Sequence, residues 1–132
     1  MADIIHTVAV RDAVTDLVVD RVDAGAGAGS LIYQTSGDVV VATCPFSDPA
    51  FDASGSAGGN ADGLATANAI TSDTNAVGGT VAKARIKDSN ALEVLSCSVT
   101  ATGGGGSIIV SSTVVGAGDT MQTDTLTYAS MA

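Results

Sequence analysis

The chain has 132 residues, enough for one domain with a core of its own. It is 45% hydrophobic but only 3% aromatic, so Val, Ile, Leu and Ala must fill that core. Fourteen acidic against five basic residues give a net charge of −9, which excludes the cationic footprint of a nucleic-acid binder and disfavours an anionic membrane surface.

Residues 1–7 read as an N-terminal arm, and 8–132 as a single β-sandwich domain that includes a helix over 8–24. The opening MADIIHTVAVRD lacks the basic start, apolar stretch and small-residue cleavage site of a signal peptide, so synthesis in a cytoplasm is expected. No apolar run approaches the length of a transmembrane helix. Val10, Ala13, Val14, Leu17 and Val18 fall at i, i+3, i+4, i+7 and i+8, which predicts a helix with that face buried. Thr7 suits the N-cap, Asp12 the positive end of the helix dipole, and Gly25 a left-handed C′ position.

The tract Ala24–Ser30 (AGAGAGS) is a flexible turn into the first strand. Leu31–Thr35 and Val39–Cys44 form a hairpin about Ser36-Gly37-Asp38. Residues 45–63, rich in Gly, Ser and Asp, are a long loop expected to bury little. Phe46 and Phe51 would pin its ends to the core, or the loop would serve as a contact arm. Strands are predicted over Leu64–Ile70, Val81–Lys87, Ala91–Thr100, Ile108–Val115 and Thr120–Tyr128, with Gly103–Gly106 a flexible hinge or tip. In Val81–Lys87 the alternation puts Val81, Arg85 and Lys87 on one face and Ala82, Ala84 and Ile86 on the other, so most of the positive charge falls on one exposed sheet face. About seven to eight short strands after one N-terminal α-helix define a mainly β chain, a jelly-roll or Ig-like sandwich.

The residues offer little chemistry. His6 is the single histidine and lies in the arm, where a catalytic triad or an imidazole zinc site is not expected. Cys44 and Cys97 fit small buried residues better than a disulfide framework, the alternative being a Cys44–Cys97 bridge across neighbouring strands. Asp48, Asp52 and Asp62 with Asn60 lack the spacing of a calcium loop. Glu93 is the one glutamate, too few for paired-carboxylate glycosidase chemistry. The glycine clusters are not followed by the lysine of a phosphate loop. The chain is therefore expected not to be an enzyme, with no catalytic residue, no metal and no cofactor.

Arg11–Gly25 (RDAVTDLVVDRVDAG), Leu31–Gly37 (LIYQTSG), Phe46–Phe51 (FSDPAF) and Ala65–Ile70 (ATANAI) resemble a family of small tailed-bacteriophage and prophage virion structural proteins. The resemblance covers roughly the first 75 residues; beyond them it is one of style, alternating strands and a KDSN-type turn. It implies a scaffold with no active site, departing from the family in the longer loop over 53–63. The implied role is a capsid decoration, or cement, protein on the virion surface, made in the host bacterial cytoplasm. Its partners would be the major capsid protein and further copies of itself, as dimer or trimer, with no nucleic acid and no membrane. The alternative is a tail- or fibre-associated adaptor that binds the host. Candidate contact residues are Ile4, Ile5 and His6 in the arm, with Phe51 and Asp52 in the loop; Ile4 and Ile5 would otherwise cover one end of the core.

Overall fold

The computed structural model describes residues 4–129. Helix α1 spans Val8–Asp20 and continues as a 3-10 turn over Arg21–Asp23. The Thr7 side chain accepts the Val10 N–H at 3.4 Å and caps the helix start. Gly25, with φ +97°, turns the chain away after the 3-10 turn.

Among the described residues nine short strands follow: β1 (Ser30–Gln34), β2 (Val40–Pro45), β3 (Leu64–Thr66), β4 (Gly79–Thr80), β5 (Lys83–Lys87), β6 (Glu93–Ala101), β7 (Ile108–Val110), β8 (Val114–Val115) and β9 (Thr127–Ala129). One sheet has five strands in the order β2-β1-β5-β6-β7; β3 pairs with β9 and β4 with β8 as separate two-stranded sheets. The chain is thus mainly β with one N-terminal helix, its strands divided into one sheet and two small pairs. Three expected strands break up or stop well short of their sequence pattern. Residues 67–70 leave the β3 ladder after a single bridge from Ala67 to Phe51, residues 111–113 separate β7 from β8, and only 127–129 of the last segment pair regularly. β-Propensity gives these runs the right side chains, but a strand also needs a partner in register.

The registers explain the core. Leu31 lies between Cys44 and Ile86, and Tyr33 between Ala42 and Ala84, so one face of the sheet carries two apolar rows. All six are buried. A bulge between Tyr33 and Gln34 leaves Val41 as an extra residue in β2. Its carbonyl accepts the N–H groups of Val77 and Gly78 at 2.8 and 3.3 Å, so residues 77 and 78 cover that sheet edge. The opposite face shows Lys83, Arg85 and Lys87, as the alternation predicted. Arg85 bonds Asp38 at 2.9 Å and Glu93 at 3.4 Å, and Lys83 also pairs with Asp38. Val81, expected to share that outer face, is instead buried at 2% exposure because it precedes the regular strand.

Two glycine tracts are less free than their composition implies. A Cβ on Gly29 would lie 2.4 Å from the Lys87 carbonyl oxygen and 2.7 Å from that of Val22, so the linker is pressed between helix end and sheet. In the second tract, β6 and β7 are parallel neighbours, Val99 opposite Ile108, although parallel strands usually need a crossover of a dozen residues or more. The chain returns this tightly by wrapping around one side chain. The Gly106 N–H donates to Thr100 Oγ1 at 3.0 Å, and a Cβ on Gly104 would lie 2.4 Å from that oxygen. Gly103–Gly106 is therefore a fitted saddle over Thr100, not a hinge.

Candidate functional site

The helix buries a different face from the one its apolar spacing predicts. Thr15, Val19 and Val22 are buried, whereas Val10 is 43% and Leu17 67% exposed. The polar residues beside Thr15 face the loop over 45–63 and hold it. Asp12 Oδ1 accepts the Gly63 N–H at 2.7 Å, and Thr15 Oγ1 donates to the Gly63 carbonyl at 2.6 Å. Asp16 Oδ1 accepts the Ser54 N–H at 2.9 Å, while Ser54 Oγ returns a bond to the Asp12 carbonyl. Asp23 Oδ1 accepts the Ala50 N–H at 2.8 Å. Burial pushes the Asp23 carboxyl above its usual range, against the opposing pull of that N–H and with a smaller upward push from Asp48 and Asp20.

These bonds correct two expectations. Asp12 serves the loop as acceptor, with its carboxylate committed to Gly63. The loop buries Phe46, Ala50, Phe51, Ser54 and Gly55, because side chains of α1 satisfy backbone N–H groups that would otherwise keep it in water. Phe46 and Phe51 do pin it, with ring centroids 5.7 Å apart.

The structure separates the candidate contact residues. Ile4 and Ile5 are 83% and 84% exposed and His6 is half-buried. Phe51 is 7% exposed and belongs to the core, whereas its neighbour Asp52 is exposed. Together with Val10 and Leu17, the arm displays apolar surface that sequence reasoning assigned in part to the core.

Other candidate groups are dispersed. Cys44 and Cys97 are both free. They sit on strands separated by β1 and β5, three strand spacings or about 14 Å apart, beyond disulfide reach. Burial pushes both thiols above their ordinary range. Asp62 lies 3.9 Å from Arg11, and Glu93 faces Arg85. Among the described residues no group of three or more His, Cys, Asp or Glu is placed to hold a metal ion, and no helix is long and apolar enough to cross a membrane.

Two depressions stand out among the described residues. A groove of about 350 Å³ runs between α1 and the sheet, lined by Val18, Leu95, Cys97, Leu126 and Tyr128 among others. A larger cleft of about 680 Å³ lies between β7 and residues 119–127. Comparison of the chain with protein-family models, curated proteins and solved structures gave no match.

Proposed function

We propose that this is a bacteriophage virion structural protein, a capsid decoration protein that binds and stabilises the major capsid lattice. The observation that carries the reading is the likeness of Arg11–Gly25, Phe46–Phe51 and Ala65–Ile70 to the family motifs, joined to what those residues do. They meet in one joint. Asp12, Asp16 and Asp23 hold the loop, Phe51 bridges to Ala67, and the Asn68 N–H donates to the Ala50 carbonyl at 2.8 Å. A motif whose members all serve one joint supports a shared scaffold, not a shared reaction. A sandwich is the architecture proposed for it, with the β3–β9 and β4–β8 pairs contributing the second layer.

The contact surface in this reading is the arm with the outward stripe of α1: Ile4, Ile5, Val10 and Leu17. Each contact is small, but a symmetric lattice multiplies it. Because the protein would bind assembled shell and not loose subunits, occupancy stabilises the shell by mass action. The test is to strip the protein from purified particles and follow DNA release on heating. Release at lower temperature, restored on adding the protein back, is expected; unchanged release overturns the cement role. Copy number decides location, since a handful of copies per particle belongs to a tail position and hundreds to the shell.

A further inference from the structure

We infer that the cleft beside β7 is an acceptor slot for one extended, positively charged strand of a partner polypeptide. It lies apart from the arm and the helix stripe, and does not depend on the partner being a capsid.

Both walls of the cleft are unpaired backbone. On one side, β7 is the last strand of its sheet and pairs only with β6. On the other, residues 122–126 run from the bridge at Met121 to β9 without regular structure. Among the described residues, the single backbone bond in 122–126 is the Leu126 carbonyl accepting the Ala67 N–H at 2.8 Å. Among the described residues the backbone of Gln122–Thr125 has no partner. Contrast the far edge of the same sheet, where the Val41 and Pro45 carbonyls accept the N–H groups of Val77 and Thr71 and the Thr43 N–H donates to the Asp73 carboxylate. One edge is closed and the other is left open, and an open edge is a template for strand addition.

The walls are held in place. The Tyr33 hydroxyl meets Thr123 Oγ1 at 2.5 Å, fixing the middle of the irregular wall to the floor. Ile108 and Met121 are buried at 8% and 6% exposure, so both walls are anchored in the core while Ile109 remains 50% exposed.

Charge selects the occupant. Asp119 and Asp124 line the cleft and no Lys, Arg or His does. Asp119 keeps one oxygen on the Gly116 N–H and Asp124 one on the Gln122 amide, which leaves each carboxylate a further oxygen for an incoming cation. In this acid-lined slot a net charge of −9 disfavours a second copy of the chain as occupant and favours a basic segment. The strand would take ladder hydrogen bonds from both walls and place a Lys or Arg beside Asp124.

The experiment uses the full chain and two blocked peptides of alternating Thr and Val, one flanked by Lys and one by Glu. Backbone amide exchange is read at Ile108–Val110 and Gln122–Leu126. The Lys peptide is expected to slow exchange at both walls together, and raised salt to weaken it. Asp124→Lys should lower the peptide's affinity by about tenfold, with Asp124→Asn between it and wild type. Asp124 is exposed, so circular dichroism should show both variants folded. The inference is overturned if the free, dilute chain already protects the Gln122–Leu126 amides, if their protection in the free chain rises with its own concentration, if both peptides protect equally, or if neither protects at millimolar concentration.

Discussion

The Asp12 carboxylate accepts the backbone N–H of Gly63 at 2.7 Å, tying the helix to a residue 51 positions further along the chain. Removing one partner of a charged, part-buried hydrogen bond leaves the other unsatisfied. Asp12→Ala should cost about 1.5–3 kcal/mol, and Asp12→Asn, which keeps an acceptor, less. The check is urea unfolding, where the midpoint should fall with little change in slope. An unmoved midpoint would mean that the loop does not depend on the helix.

Alanine should separate the glycines of the AGAGAGS tract by their surroundings. At Gly29 a Cβ would strike two backbone oxygens, and at Gly25 it would lie 2.0 Å from Ser89 Oγ at a φ of +97°. Both substitutions should destabilise by roughly 1–3 kcal/mol. A Cβ on Gly27 would meet nothing within 4 Å, and Gly27→Ala should change stability by no more than about 0.5 kcal/mol. Thermal unfolding of the three variants gives the order.

Leu17 and Val19 lie on opposite accounts of the helix, one 67% exposed and the other 3%. Val19→Ala should cost roughly 1–3 kcal/mol through lost packing. Leu17→Ser should leave unfolding within about 0.5 kcal/mol of wild type yet weaken attachment to the particle. If Leu17→Ser binds stripped particles as tightly as wild type, the helix stripe is not the contact surface.

Tyr33 predicts an alkaline limit. Burial pushes its hydroxyl up to about 12 from 10, with the bond to Thr123 opposing. Between those values the unfolded chain has lost the proton and the folded chain has kept it, so stability falls as pH rises. The stability is fully present below pH 10 and the loss reaches up to about 3 kcal/mol near pH 12. Tyr33→Phe removes this ionisation; its unfolding free energy should decline less steeply than wild type across that window. Parallel curves would refute the assignment.

The sequence made some elements plain and hid others for identifiable reasons. Thr7 and Gly25 marked the ends of the helical segment because capping and left-handed turns depend on local residues. The hairpin of β1 and β2, and the alternation in β5, were legible because their side chains pair across neighbouring strands. The buried helix face was not. Val10, Ala13, Val14, Leu17 and Val18 form the more apolar stripe, but Asp12 and Asp16 face the molecule because loop N–H groups some forty or fifty residues away await them. Apolar periodicity cannot register an acceptor whose donor lies in a distant loop. The cleft beside β7 was equally hidden, since it exists only where β8 and β9 pair away from the main sheet.

The saddle over Thr100 bears on how this module tolerates engineering. A run of four glycines resembles a linker, the usual place to splice an epitope or a reporter. Here it is a joint of fixed length: the Gly106 N–H must reach Thr100 for Ile108 to stand opposite Val99. A tag spliced between Gly104 and Gly106 would unseat β7.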